Sequence, residues 1–288
     1  MEQFRRGDLV FDVIDAGPAD GPVVVLLHGF PESNVMYQPV IDRLTAQGYR
    51  CLAPLQRGYS PGARPKRRRD YRDSELAGDI VTLIDTVGAQ RVHLVGHDWG
   101  AFVGWYVAQR FPERLHTLTA LSVPHPAAFL KAVATSRQAV SSWYMLFFQL
   151  PWLPERLLLS RRGISGFLAS RSSPELAEAE MDALQQPGAL TAALNWYRGM
   201  PFSSPRQTAK AVTVPTLYVW SDNDVALKKK CARLCADYVV ADYRFEVLEG
   251  TSHWLLDEQP ETVADLILDR IGTHSEAQGQ RSESGVEG

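Results

Sequence analysis

The 288-residue chain is predicted to be an α/β protein with a mostly parallel central sheet, helices flanking that sheet and an inserted helical cap. Three observations support this fold class. Short apolar runs alternate with amphipathic stretches through residues 1–123, the alternation stops over residues 124–205, and it resumes over residues 206–272. Because strand–helix alternation favours parallel pairing, residues 1–123 and 206–272 are expected to form one core and residues 124–205 its cap.

The strands and helices of this core follow from the spacing of apolar residues. Val23–Leu27 contains only Val and Leu, as expected for a strand that is buried on both faces. The predicted strands are Leu9–Asp15, Val23–Leu27, Tyr49–Leu55, Arg91–Val95, His116–Val123, Pro215–Trp220 and Tyr243–Leu248. Helical spacing predicts helices over Asp79–Val87, Gly100–Arg110, Leu227–Tyr238 and Glu261–Ile271.

The predicted cap and the C-terminal tail differ from the core in pattern. Residues 124–205 show no strand pattern, and their helical stretches are interrupted by prolines. An insertion at this place is expected to cover a site at the carboxyl edge of the strands. Its apolar run Met145–Leu153 is too short to span a bilayer. This run either lines the pocket beneath the cap, which is the preferred interpretation, or leaves an apolar surface on the cap. Residues 273–288 are rich in Ser, Glu and Gln and are predicted to be disordered.

Composition and charge exclude several classes of protein. The formal net charge is −3, and the basic run Lys66–Arg69 precedes two acidic residues, so no nucleic-acid partner is expected. No apolar stretch suits a secretory signal or a spanning helix, which predicts a cytoplasmic protein without stable membrane insertion. Neither a disulfide framework nor a metal is expected, because the three cysteines are odd in number and Cys231 and Cys235 lack a nearby histidine. Monomer and homodimer both remain open.

The strongest local motif is Gly96-His97-Asp98-Trp99-Gly100, between a predicted strand and a predicted helix. Small residues at both ends permit a tight turn that exposes the central side chain above the sheet. The central residue is Asp98, whose carboxylate is ionised at neutral pH and needs no base to activate it. Asp98 is therefore the predicted nucleophile, which would attack a carbon electrophile and form an alkyl ester.

A second motif, His28-Gly29-Phe30-Pro31, directly follows the buried strand Val23–Leu27. In such folds the loop at this place and the residue after the nucleophile supply the two backbone N–H groups of an oxyanion hole. Phe30 and Trp99 are therefore the predicted donors. The Phe30–Pro31 bond is a candidate for the cis form, and His28 is expected to support the loop rather than to act in catalysis.

The third motif places a histidine after the last predicted strand, in Ser252-His253-Trp254. Asp222 and Asp224 follow strand Pro215–Trp220 and can supply the acid that orients the imidazole. The order Asp98, Asp224, His253 is the nucleophile–acid–histidine order typical of a strand–turn–helix nucleophile. His253 is the predicted general base, and Asp224 is its predicted orienting acid.

Together these motifs resemble the α/β-hydrolase superfamily and, within it, the epoxide hydrolases, over residues 5–272. His28–Pro31 matches the H-G-x-P motif of that family and Gly96–Gly100 its G-x-D-x-G motif. The segments Ser142-Trp143-Tyr144 and Asn195-Trp196-Tyr197-Arg198 are similar to the cap regions that supply two ring-opening tyrosines. The resemblance thus implies the α/β-hydrolase fold, with Tyr144 and Tyr197 as donors to the epoxide oxygen.

The resemblance also implies an activity: hydrolysis of a small apolar epoxide with water to a vicinal diol, without a cofactor. Asp98 would form the ester, and water activated by His253 would hydrolyse it. Tyrosine suits the donor role because it stays protonated at neutral pH. Residues within the matching motifs are expected to contact the substrate, namely Pro31, Phe148, Trp196 and Trp254.

Two other functions fit parts of the pattern. A haloalkane dehalogenase shares the fold and the Asp98-Trp99 pair, and Trp99 with a cap tryptophan (Trp143, Trp152 or Trp196) could bind the departing halide; the two tyrosine motifs would then have no role. A non-catalytic receptor for a small apolar ligand would not need an intact nucleophile, acid and base. Epoxide hydrolysis is therefore the preferred reading.

Overall fold

A single eight-stranded sheet forms the centre of the computed structural model, which describes residues 1–160 and 174–284, with only the backbone of residues 274–284. The strand order is β1-β2-β4-β3-β5-β6-β7-β8; β2 pairs antiparallel with β1 and β4, and the remaining neighbours are parallel. The strands are β1 Gln3–Arg6, β2 Leu9–Ala16, β3 Val23–Leu27, β4 Arg50–Pro54, β5 Val92–His97, β6 Leu115–Leu121, β7 Thr216–Ser221 and β8 Tyr243–Leu248. The prediction of a mostly parallel α/β sheet is confirmed.

Helices cover both faces of this sheet. Alternate residues of β3 explain why the strand is so apolar: Val25 and Leu27 pack with one layer of helices, and Val24 and Leu26 with the other. The first layer contains α2 (Asp73–Thr86) and α3 (Trp99–Arg110), and the second contains α1 (Gln38–Ala46) and α13 (Pro260–Ser284).

We call the described residues between β6 and β7 the insertion. Its regular elements are helices, and Val212 near its end forms an isolated β-bridge with Val239. The helices are α4 (Pro126–Thr135), α5 (Gln138–Ser141), α6 (Trp143–Phe147), α7 (Leu153–Leu158), α8 (Pro174–Gln185), α9 (Ala189–Gly199) and α10 (Pro205–Thr208). The helical content expected of residues 124–205 is present in these elements, while residues 161–173 lie outside the described residues. Two short helices, α11 (Lys229–Arg233) and α12 (Leu255–Glu258), complete the core.

The sequence pattern misses two elements, and two predicted segments require correction. The pattern did not indicate β1, a four-residue strand, or α1, although Val40, Ile41 and Leu44 have helical spacing and are buried. The helix predicted over Leu227–Tyr238 is confined to α11 and continues as a 3₁₀ turn over Leu234–Tyr238. The tail predicted to be disordered from residue 273 instead extends α13 to Ser284, because its Ala, Glu, Gln and Arg residues favour helix, while residues 285–288 lie outside the described residues. Within the described part of the chain, no helix is both long and apolar enough to cross a bilayer.

A buried ion network joins the sheet, the α2 layer and the insertion. Arg57 donates through Nε and Nη2 to the carboxylate of Asp79 at 2.7 Å for both bonds, and Arg6 donates to the same carboxylate at 2.8 Å. The backbone carbonyl of Arg57 accepts a hydrogen bond from Trp196 Nε1 of α9 at 2.6 Å. Both Arg57 and Asp79 are buried, so this network also fixes α9 on the core.

Replacement of Asp79 by alanine is expected to lower the free energy of unfolding by about 3–5 kcal/mol, because it leaves the Arg57 guanidinium buried without its main counter-ion. Urea denaturation followed by far-UV circular dichroism measures this change. The matched control is Asp265→Ala, which removes the exposed Arg43–Asp265 pair and is expected to cost less than ~1 kcal/mol. Equal effects of the two substitutions would contradict the assigned role of the network.

Candidate active site

Asp98 lies on a sharp turn between β5 and α3, at the carboxyl edge of the sheet. Its backbone has φ 50° and ψ −117°, a left-handed conformation that is strained for a residue with a side chain. The turn is possible because two glycines allow close backbone approach: a Cβ on Gly96 would overlap the carbonyl of Gly100, and one on Gly100 would overlap that of Leu27. The strain directs the carboxylate away from the sheet and into a cavity.

Three side chains that are far apart in sequence meet at this edge, as the motif order predicts. His253 Nδ1 donates to Asp224 Oδ2 at 2.7 Å, and His253 Nε2 lies 3.5 Å from Asp98 Oδ2. Asp224 Oδ1 is held by the backbone amides of Ala226 at 2.7 Å and Leu227 at 2.9 Å. With its nitrogen Nδ1 bonded to the buried Asp224, the imidazole presents Nε2 to Asp98 and to the cavity.

The environment of these groups shifts their pKa values in opposite directions. Burial opposes protonation of His253, but the carboxylates of Asp224 and Asp98 on either side outweigh it and hold the His253 pKa well above its usual value. Burial would raise the pKa of Asp98, yet the His253 side chain and the Phe30 amide lower it below the usual range. Asp98 is therefore an anion at neutral pH, paired with a protonated imidazole.

The amides expected to form an oxyanion hole lie beside Asp98. The N–H of Phe30 donates to Asp98 Oδ1 at 2.9 Å, and Trp99 is the first residue of α3, where the helix itself offers the N–H no acceptor. The Phe30–Pro31 bond is cis. His28 is fully buried, with Nδ1 on the Gly29 carbonyl at 2.9 Å and Nε2 accepting from the Gln56 amide at 3.1 Å, which agrees with the supporting role expected for it.

Tyr144 of α6 and Tyr197 of α9 line the same cavity as Asp98 and His253. Their ring centroids are 6.1 Å apart, and the Tyr197 ring lies edge-on to Trp99 at 4.9 Å. Burial, reinforced by nearby negative charge, raises the pKa of both phenols well above the usual value, so both remain hydrogen-bond donors.

Arg198, next to Tyr197, connects the two segments that carry these tyrosines. It donates to the carbonyls of Phe148 at 2.9 Å and Leu150 at 2.6 Å and forms a 2.6 Å ion pair with Glu155. Gln149 Nε2 donates in turn to the Tyr197 carbonyl at 2.7 Å. These contacts hold residues 148–150, which follow Tyr144 in the chain, at a fixed distance from α9, which carries Tyr197. They thereby help to set the distance between the two phenols.

The cavity has a volume of about 760 Å³ and is mainly apolar. Of the four residues expected to contact the substrate, Trp254 lines the cavity, whereas Pro31, Phe148 and Trp196 are buried and are not part of its lining, so substrate contact by these three stays a prediction. Phe148 packs against Phe30 and Tyr197, and Trp196 is turned towards Arg57 by its indole hydrogen bond. The apolar lining comes instead from other helices, through Phe102, Phe129, Leu130, Val140, Trp143, Met145 and Met200.

Glu32 and His97 are two further site residues that we did not single out in the sequence. His97 Nδ1 lies 2.7 Å from Glu32 Oε2, and His97 Nε2 lies 2.9 Å from the carbonyl of His253. The side chains of Glu32 and His97 are both buried. Glu32 directly follows the His28–Pro31 motif, and His97 lies inside the Gly96–Gly100 motif. Their places in the sequence are the signal that could have identified them. Glu32 orients His97, and the hydrogen bond from His97 to the His253 carbonyl fixes the loop that carries His253.

Comparison with known proteins assigns the family. The family model of the alpha/beta hydrolase fold matches residues 22–260, in agreement with the sheet order and with the turn at Asp98. The chain therefore belongs to the α/β hydrolase family and, as the following relatives show, to its epoxide hydrolase branch.

Two relatives and one solved structure illustrate the similarity. The chain is 36% identical over 91% of its length to AB hydrolase superfamily protein YfhM of Bacillus subtilis, covering 94% of that protein. It is 33% identical over 92% of its length to epoxide hydrolase 4 of Homo sapiens, covering 76% of it. A solved structure described as one of several novel epoxide hydrolases in metagenomes from hot environments matches with a TM-score of 0.81, 29% identity and coverage of 91% of this chain and 95% of that one.

Proposed function

We propose that this protein is an epoxide hydrolase that converts a neutral, apolar epoxide to a vicinal diol through an ester of Asp98. The observation that carries the proposal is the content of one cavity: an aspartate nucleophile, a histidine 3.5 Å from it, and two protonated tyrosines in the same lining. The relatives named epoxide hydrolases support the same activity.

In the first step the carboxylate of Asp98 attacks a ring carbon. A carbon–oxygen bond to Asp98 forms, the ring carbon–oxygen bond breaks, and its electron pair goes to the ring oxygen. That oxygen would be a poor leaving group as a free alkoxide, so Tyr144 and Tyr197 donate hydrogen bonds and one of them a proton. The product is a hydroxyalkyl ester of Asp98.

In the second step water hydrolyses this ester. Esterification removes the negative charge of Asp98, one of the two carboxylates that raise the pKa of His253. The imidazole therefore becomes easier to deprotonate at the stage where a base is needed. The proton of the imidazolium replaces the one that the tyrosine gave up, and neutral His253 then takes a proton from water. Hydroxide adds to the ester carbonyl, and the amides of Phe30 and Trp99 stabilise the oxyanion. When this intermediate collapses, the ester carbon–oxygen bond to the product breaks, His253 gives its proton to the departing alkoxide to complete the diol, and the carboxylic acid of Asp98 returns a proton to His253.

The lining also indicates which epoxides fit. Among the described residues that line the cavity, Asp98 and His253 are the charged ones, and both are used in catalysis. No lysine or arginine of this lining could neutralise a carboxylate on the substrate. We infer a neutral substrate held by apolar and aromatic contacts, for which long-range electrostatic steering has no function.

The double variant Tyr144→Phe/Tyr197→Phe is expected to lose about 10³-fold in kcat/KM for styrene oxide, because both donors to the ring oxygen are removed. Diol formation measured by chromatography checks this result. Tyr49→Phe, at the opposite end of the sheet, is the control and should retain full activity.

A parallel measurement of bromide release distinguishes the proposed epoxide hydrolysis from dehalogenation. The wild-type protein should release no bromide from 1-bromobutane, or far less than the diol it forms from an epoxide. Full epoxide turnover in the double tyrosine variant would refute the role of the phenols, and rapid bromide release would favour the dehalogenase reading, which does not use them.

A further inference from the structure

The outer surface of the insertion carries an apolar stripe, defined here as Val140, Trp143, Leu146, Leu150 and Trp152. These residues follow one another at short steps along α5, α6 and the loop before α7, with Trp143 64%, Leu146 77% and Trp152 67% exposed. Most large apolar side chains on a soluble surface occur singly, so a continuous stripe with two tryptophans indicates an interaction face. It also corrects the expectation that Met145–Leu153 lines the cavity, since Met145 is its only residue that does so.

The stripe extends to the active-site cavity at one end. Val140 and Trp143 belong both to the stripe and to the cavity lining. Leu130 and Val225, which are also strongly exposed, line the cavity from α4 and from the loop that follows Asp224. A partner that covers Val140 and Trp143 therefore also lies against the cavity.

The segments around the cavity entrance carry a net positive charge, whereas the chain as a whole is negative. Residues 126–160 and 200–234 contain nine Lys and Arg and three Asp and Glu, in a chain whose net charge is −3. Two of the acids are engaged, Glu155 with Arg198 and Asp224 with His253. Asp222 is the third, and it is exposed.

Several of these basic residues lie directly beside the stripe. Arg137 caps α5, three residues before Val140, and Arg156 is on α7 after Trp152. The Lys228 amide donates to Gln138 Oε1 at 2.9 Å and Lys230 Nζ to the Thr135 carbonyl at 2.8 Å, which places the exposed Lys228–Lys230 run against the start of α5.

We propose that this face docks peripherally on the anionic phospholipid surface of a bilayer, with the cavity entrance turned towards the lipid. Tryptophan and leucine enter the boundary between headgroups and acyl chains, and the surrounding lysines and arginines contact anionic headgroups. A second copy of the chain fits less well, because symmetric pairing through this face would bring its basic residues opposite each other.

Docking would give the cavity direct access to the phase in which its substrate dissolves. This consequence rests on the proposed epoxide hydrolysis, since a neutral apolar epoxide partitions into the bilayer. The docking itself does not rest on that proposal, because binding to lipid needs no catalytic turnover.

Vesicle sedimentation tests the docking. The wild-type chain is expected to bind vesicles of phosphatidylcholine with roughly one third phosphatidylserine at about 0.1 M salt, and to bind pure phosphatidylcholine far more weakly. Leu146→Ser/Trp152→Ser, which leaves the cavity lining intact, should reduce binding more than ~10-fold. Lys229→Ala/Lys230→Ala should reduce it by about 25-fold. The control Val240→Ser/Val247→Ser removes exposed apolar groups outside the stripe and should leave binding to the vesicles unchanged.

Each alternative result has a definite meaning. Failure of the wild-type chain to bind anionic vesicles, or undiminished binding by the Leu146/Trp152 variant, overturns the proposal. A dimer in sedimentation velocity that dissociates in the same variant, without lipid binding, would show that a second copy covers the face. If vesicles are bound but no epoxide is turned over, the docking stands and the proposed function fails.

Discussion

Replacement of Asp98 by alanine is expected to abolish diol formation, with a loss in kcat of at least ~10⁴-fold. Among the described residues that line the cavity, Asp98 is the only carboxylate, and the carboxylate of Asp224 is fully buried and occupied by His253 and two backbone amides. The strained turn aims the side chain of residue 98 at the cavity. Product formation under saturating epoxide measures the loss, and Asp222→Ala, an exposed acid two residues from Asp224, is the matched control.

Isotope labelling distinguishes the ester from direct attack by water. In a single turnover in ¹⁸O-water with enzyme in excess, hydrolysis at the ester carbonyl places the label in the Asp98 carboxylate and leaves the diol unlabelled. Direct attack of activated water on the ring would place the label in the diol. Label in the first-turnover diol, or a substantial residual rate in Asp98→Ala, would therefore exclude the ester pathway.

The sheet could be predicted from sequence where its elements are strongly apolar. Val23–Leu27 and Tyr243–Leu248 were predicted with the bounds that the structure has. The first is a continuous apolar run, as expected for a strand covered on both sides, and the second alternates aromatic with charged residues, as expected for a half-buried strand. β1 could not be found in this way: it is four residues long and depends on Phe4 stacking on Phe11 of its neighbour, a tertiary contact. The polar extension of α13 shows the reverse error, in which composition indicated disorder and helix propensity prevailed.

The positions of the proposed catalytic residues are more predictable than those of the residues that shape the cavity. Asp98, Asp224 and His253 occupy strand ends, and strand ends of a parallel sheet converge at one edge, so chain order alone brings them together. The cavity wall depends on the rotation of each insertion helix. In the segment Asn195-Trp196-Tyr197, Tyr197 faces the cavity and Trp196 faces Arg57. The spacing of residues in a motif does not encode this difference.

Replacement of His253 by glutamine is expected to stop the reaction halfway, with a loss in kcat of about 10³-fold. Formation of the ester needs the anion of Asp98, which remains, so its rate should stay within about tenfold of the wild-type rate. Hydrolysis of the ester needs a base, which is lost. The variant should consume one equivalent of epoxide in a burst and then stall, and mass spectrometry should find the peptide of Asp98 heavier by the mass of the substrate.

The pH dependence of the two steps gives the sharper test. In the free enzyme the pKa of His253 is raised by two carboxylates, so at neutral pH the imidazole is protonated and the first step should vary little with pH. Once Asp98 is esterified only Asp224 remains, and the hydrolysis rate should rise with pH as His253 loses its proton. In His253→Gln this rise should vanish, whereas His116→Gln, at the far end of β6, should keep it. An ester that still hydrolysed faster at higher pH in His253→Gln would mean that another group activates the water, because glutamine does not titrate in this range.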